Sequence, residues 1–186
     1  MNQQDESYRG RSKDLSSRLL VRAMNYLILG ANGQLGREFQ KHMSRSGVPF
    51  TAADRAACDI TSETEVERLL DRHKPTTVIN CAAYNQVDEA EDKPDLAFAV
   101  NAQAVKTLAV SCDKRRIKLV HYSTDYVFDG LKGRPYVEAD PPNPLSVYAK
   151  SKLAGEEYLR SLSRDHLLFR VSWVIGPGSQ NFLYKV

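Results

Sequence analysis

Tyr148 and Lys152 stand four residues apart in SVYAKSKLAGEEYL, residues 146 to 159, a stretch with the apolar spacing of an amphipathic helix. Side chains at i and i+4 are helical neighbours, so this pair sets an ammonium beside a phenol, where positive charge favours the ionised phenol. A free tyrosine titrates at about 10 and is a poor acid or base at neutral pH; a fixed cation brings it closer to proton-transfer work. The same spacing also occurs on solvated helix faces, so the pair becomes informative only in company. Gly30, Gly33 and Gly36 supply some, as GANGQLG between an apolar run and a helical pattern. Glycines so placed allow a tight turn, close approach of backbone to a pyrophosphate, and tight packing of helix on strand, while the helix N-terminus offers N–H groups to the anion. Asp54 lies 21 residues beyond Gly33, where an acid can bind adenine ribose hydroxyls. Arg55 beside it could instead hold a 2′-phosphate, which leaves NADPH and NADH both open as cofactors. At the end of another apolar run, STDYVFDG (123 to 130) places Ser123, Thr124 and Asp125 where polar groups can bond a carbonyl oxygen, although these residue types are also common in turns.

Other polar residues read as structure. His121 fits a satisfied histidine in a buried strand, Trp173 fits core filling, and the acidic run DEAEDKPD (88 to 95) fits a solvated loop and helix start rather than a metal site. Cys58, Cys81 and Cys112 are odd in number and lack ligand spacing, so we expect reduced, mostly buried thiols and no bound metal.

The elements that must position these groups alternate in type. Strand-like runs at 25–30, 48–54, 76–83, 117–123 and 166–175 are separated by helical patterns at 33–47, after Thr61 as N-cap, at 94–116, and at the segment holding Tyr148. Near-continuous apolar strands between helices predict a parallel sheet covered on both faces, a Rossmann-like, doubly wound, three-layer α/β fold. A chain of 186 residues with net charge +3 is large enough for a real core and too weakly basic to argue for nucleic acid. No apolar run approaches the ~20 residues a membrane helix needs, so a cytoplasmic protein is expected. Residues 1–23, with five basic and three acidic side chains, read as a disordered or extra leader, and the ordered domain is expected over 24–186.

Taken together, LILGANGQLG, NCAAYNQVDEAE, HYSTDYVFDG, PPNPLSVYAKSKLAGEEYL and FRVSWVIGPGSQNF resemble the dTDP-4-dehydrorhamnose reductase family of the extended short-chain dehydrogenase/reductase superfamily. That resemblance implies hydride transfer from NADPH or NADH to C4 of dTDP-4-dehydro-6-deoxy-L-mannose, giving dTDP-L-rhamnose for cell-surface polysaccharide. It implies Tyr148 as proton donor, Lys152 on the nicotinamide ribose, Thr124 on the carbonyl oxygen and Asp125 on the sugar. Gly33, Gln34 and Leu35 match the pyrophosphate turn, Asp54 the ribose acid, and Asp59 with Ile60 the adenine site. Ala83, Tyr84, Asn85 and Tyr122 match further cofactor-lining positions. Family members continue past the equivalent of Val186 with a smaller C-terminal region that supplies much of the nucleotide-sugar pocket, so this chain is expected to carry the cofactor half and to lack most of that region. Two other readings on the same fold are a non-catalytic subunit like the regulatory β subunit of methionine adenosyltransferase, and a nucleotide-sugar epimerase or dehydratase. A nucleotide sugar is the expected partner, with neither nucleic acid nor membrane; a homodimer is compatible with the fold, without a signature in the sequence.

Overall fold

The computed structural model describes residues 24–176, so the expected leader at 1–23 and the end of the last family motif lie outside the described residues. Five parallel strands form one sheet in the order β2-β1-β3-β4-β5: β1 (Tyr26–Leu29), β2 (Phe50–Ala53), β3 (Thr77–Asn80), β4 (Lys118–Thr124) and β5 (His166–Val171). Between them run α1 (Gln34–Arg45), α2 (Glu63–His73), α3 (Val87–Asp92), α4 (Pro94–Phe98), α5 (Ala104–Arg115) and α6 (Val147–Leu162). This is the expected Rossmann-like doubly wound architecture.

Side-chain alternation along the strands builds its two cores. Leu27 and Leu29 of β1, Val78 of β3 and Leu119 of β4 pack with Val66 and Leu70 of α2, Leu108 of α5 and Leu159 of α6. Ile28, Ile79 and Val120, one residue out of phase, pack on the other face with Phe39 and Met43 of α1. By the same alternation His121 and Ser123 point toward the α5 and α6 layer. Every residue of β3 is buried, as expected for an interior strand covered on both faces.

Local chemistry moves some boundaries. Ser62, not Thr61, caps α2, its Oγ accepting from Glu65 N at 3.4 Å. The Thr61 hydroxyl is already committed to Asp59 Oδ1 at 2.7 Å, so the next residue takes the role. The helix expected over 94–116 is continuous in path but widens into a π turn over Ala99–Gln103. Residues 87–92 form a short helix where a loop was expected. β5 stops at Val171 rather than running to 175, because Trp173 takes a left-handed conformation (φ 45°) incompatible with a strand. Cys58, Cys81 and Cys112 are free, and burial pushes their thiols up to about 11, 12 and 12. No group that could hold a metal, and no helix long and apolar enough to cross a membrane, occurs among the described residues.

Candidate active site

Strand order reverses between β2-β1 and β3-β4, so a crevice opens beyond the carboxyl ends of β1 and β3. Gly30 turns the chain there with φ +71°; a Cβ on it would lie 2.6 Å from Ala82 N, so only glycine lets the ends of β1 and β3 approach this closely. Gly33 caps α1 without a side-chain bond, and the first turn carries no acidic residue. The first amides of α1, at Gln34, Leu35 and Gly36, therefore face outward from the helix end with no intrahelical acceptor, the arrangement that binds phosphate. Gly36 itself does not line the cleft. It is buried beneath the turn, where a Cβ would sit 2.4 Å from Gly30 O, so the absence of a side chain serves helix-on-strand packing.

One cavity of about 430 Å³ lies on the β2 side of the turn, lined by Gly30, Asp54, Arg55, Asp59 and Ile60 together with Ala83, Tyr84 and Asn85. Asp54 is held by two donors, Asn32 Nδ2 at 2.6 Å on Oδ2 and Ala57 N at 3.0 Å on Oδ1. Arg55 projects into solvent with its side chain 82% exposed, and its sole ion-pair contact here is Asp59 at 3.5 Å. Thr61, through its hydroxyl and its amide, holds the Asp59 carboxyl below the usual range.

A second cavity, about 350 Å³, continues on the β4 side and is lined by Gly33, Gln34, Leu35, Ala83, Asn85, Tyr122, Thr124, Asp125, Tyr148 and Lys152. Thus Tyr148 and Lys152 meet Thr124 and Asp125 in one cleft although α6 and β4 are joined by a long loop. Ser146 fixes the start of α6, its Oγ accepting from Ala149 N at 3.1 Å. Tyr148 is 9% exposed and meets the edge of the Tyr126 ring at 6.1 Å between centroids.

The electrostatics of this pair differ from the sequence expectation. Lys152 Nζ donates to Tyr122 O at 2.6 Å, and its side chain is almost wholly buried. Burial pushes the Lys152 ammonium down to about 8, while the Glu156 carboxylate pulls it back up. The Tyr148 phenol moves up rather than down: burial dominates, a hydrogen bond with Thr124 lowers it, and Asp125 and Tyr126 raise it again. The expected net lowering of the phenol is therefore not seen, because burial outweighs the groups that lower it. Tyr122 rises to about 12, again chiefly from burial.

Three residues outside the expected site lie in or beside it. Asn101, in the π turn, clamps the backbone of Tyr84, accepting from its N at 2.9 Å and donating to its O at 3.0 Å. Its amide also donates to Ser151 Oγ at 3.0 Å, and Ser151 donates to Tyr148 O at 2.7 Å, so one buried side chain ties the β3 loop to α6. Trp173 is 58% exposed and lines the second cavity, contrary to core filling. His121 is buried with its Nδ1 3.2 Å from Asn80 Nδ2, and burial holds it well below its ordinary value, hence neutral, in agreement with a structural part. The signal that could have flagged Asn101 is its polarity at a core-facing position of a long apolar helix.

The family model described as "RmlD substrate binding domain" matches residues 24–186. A dTDP-4-dehydrorhamnose reductase of Streptomyces griseus is 42% identical over 162 residues, covering 87% of this chain and 53% of that protein. A dTDP-4-keto-6-deoxy-D-glucose reductase of Streptomyces niveus is 40% identical, covering 87% of this chain and 56% of that protein. Among solved structures, a dTDP-4-dehydrorhamnose reductase from Bacillus anthracis in complex with NADP superposes with a TM-score of 0.84 at 36% identity, covering 87% of this chain and 58% of that one. The chain spans about half the length of the curated relatives it matches. With the fold, the crevice and the matched span in agreement, the chain belongs to the RmlD substrate binding domain family, that of the dTDP-4-dehydrorhamnose reductases.

Proposed function

We propose that residues 24–186 form an NAD(P)-binding Rossmann domain that takes part in reduction of the C4 ketone of dTDP-4-dehydro-6-deoxy-L-mannose to dTDP-L-rhamnose. One observation carries the reading: a buried, protonated Tyr148 shares a cleft with Thr124 and Lys152, directly beyond a glycine turn. The crevice fits a dinucleotide, because the amides of Gln34 and Leu35 have no internal acceptor and the backbone at Gly30 leaves no room for a Cβ. Gly33, Gln34 and Leu35 would hold the pyrophosphate and Asp54 the adenine ribose, with Arg55 near its 2′ position. Asp59 and Ile60 would flank the adenine, while Ala83, Tyr84, Asn85, Tyr122 and Lys152 would line the path to the nicotinamide. Bound NADPH or NADH supplies the hydride.

This chain's own residues govern the proton. The phenol of Tyr148 lines the cleft beside Thr124 and would deliver H⁺ to a carbonyl oxygen as negative charge develops there. Thr124, hydrogen-bonded to that phenol, orients the same oxygen, and Asp125 at the cleft mouth meets sugar hydroxyls. The relatives act on two different 4-keto sugars by name, so the 4-keto-6-deoxy hexose class is the shared part of the substrate. Dependence on a nucleotide sugar and on NAD(P)H supports a cytoplasmic reaction in biosynthesis of surface carbohydrate.

The test is titration of the chain with NADPH and NADH by tryptophan-to-nicotinamide fluorescence transfer, then addition of dTDP-4-dehydro-6-deoxy-L-mannose. Cofactor binding followed by its oxidation supports the reading. Tyr148→Phe should lower turnover by roughly 10²- to 10⁴-fold with cofactor affinity nearly unchanged. Turnover retained in that variant would sink the assignment of the acid.

A further inference from the structure

Glu156 lies one turn beyond Lys152 on α6 and is completely buried. Among the described residues it is the only carboxylate in the buried class. A carboxylate taken that far from water requires partners. Arg170 of β5 supplies most of them: its Nε lies 3.0 and 3.2 Å from the two Glu156 oxygens and its Nη2 lies 2.7 Å from Oε2. Arg160 reaches Oε2 at 3.2 Å from a position whose side chain is 48% exposed. The Arg170 guanidinium also stacks over Phe128, 4.9 Å from the ring centroid.

The placement of this ion pair relative to Lys152 follows from register. Arg170 is the sheet partner of Ser123, and Ser123 adjoins Tyr122, whose carbonyl accepts from Lys152 Nζ. Lys152 and Glu156, at i and i+4, share a helix face, so ammonium and carboxylate lie over adjacent positions of the sheet. Lys152 shares its cavity with Tyr148 on α6 and with Ser123 and Asp125 at the end of β4, has His121 of β4 within electrostatic reach, and Arg170 of β5 is engaged by Glu156; Asp125 is the carboxylate that lines this cavity.

We propose that Glu156, anchored by Arg170, is a positioning residue for the Tyr148–Lys152 pair: its carboxylate keeps the buried Lys152 charged while the ion pair fixes this face of α6 against β5. The depressed Lys152 ammonium, which Glu156 alone pulls back toward its ordinary value, is consistent with this. The catalytic consequence rests on the reductase reading; the charge effect does not.

The test reads Lys152 directly. The full chain is labelled with ¹³Cε-lysine, the Lys152 signal is identified by its loss in Lys152→Met, and its shift is followed with pH in the absence of cofactor and substrate. The wild-type midpoint is expected at about 8. In Glu156→Gln, which keeps the shape and removes the charge, it should fall by about one pH unit or more. A folded Glu156→Gln with an unmoved midpoint overturns the proposal. Should that variant fail to fold, Arg160→Gln decides: removing a half-exposed cation from the carboxylate should raise the Lys152 midpoint by a few tenths, and no rise overturns the proposal. A failure of the reductase reading would show separately, as NADPH left unbound or unoxidised while the Lys152 midpoints move as stated.

Discussion

Gly155 occupies the tightest helix contact described here, and replacing it by alanine sets two physical effects against each other. In a helix interior alanine is favoured over glycine by about 1 kcal/mol, so local propensity alone makes Gly155→Ala stabilising. Packing says the reverse. A Cβ at 155 would lie 2.1 Å from the carbonyl oxygen of Asn101 in the π turn, where ordinary contact begins at 3.4 Å. Relief requires α6 and the π turn to separate by about 1 Å, and the atom in the way is backbone, which cannot rotate aside. Overpacking of this kind costs about 1–3 kcal/mol. The same separation stretches the Asn101 bond to Ser151 of α6, worth about 1 kcal/mol. The sum exceeds the propensity gain by roughly 2 kcal/mol, which for a domain of this size lowers Tm by about 4–8 °C. Urea and thermal unfolding followed by circular dichroism give the comparison. Because Gly155 lies between Lys152 and Glu156, the shift should also misplace Tyr148 and cut turnover by on the order of 10²-fold. A Gly155→Ala protein as stable as wild type, or more so, would refute the close packing of α6 on the π turn.

Arg55→Gln should weaken NADPH binding by roughly tenfold and leave NADH nearly unchanged, since a charge-assisted bond to a 2′-phosphate contributes about 1.5–3 kcal/mol; equal losses for both cofactors in a fluorescence titration would remove Arg55 from that position. Stability should depend on alkaline pH through Lys152. Its folded value of about 8 lies below the ordinary 10.5, so below pH 8 both states are protonated and the burial penalty is fully present. Between pH 8 and 10.5 the folded state releases its proton first, the unfolded state binds more, and this group's contribution to stability rises by about 3 kcal/mol. Urea midpoints across that range, compared with Lys152→Met, isolate the term; the same slope in both proteins would show that Lys152 is not its source.

The sequence by itself determined the fold class and singled out the candidate residues of the site. Apolar runs separated by helical patterns require a covered parallel sheet; the glycine turn lies within one strand-turn-helix unit and the Tyr148–Lys152 pair within one helix, while Asp54 and Thr124 stand just at or beyond the ends of strands, so spacing along the chain was enough to single them out. Tertiary structure alone decided how those residues behave. Lys152 Nζ donates to the carbonyl of Tyr122, 30 positions away in the chain, and burial of Tyr148 moves its phenol up where the i, i+4 spacing suggested a lowering. Gly36 and Gly155 are fixed by backbone approaching from other segments, Gly30 O and Asn101 O, and a sequence does not state how near those atoms come. Trp173 left the core because the chain turns left-handed after β5, and Asn101 became a clamp because α5 begins with a π turn beside the β3 loop. Periodicity records which face of an element is apolar; desolvation and cross-element contact depend on which elements meet, and so were settled only when the sheet closed over its helices.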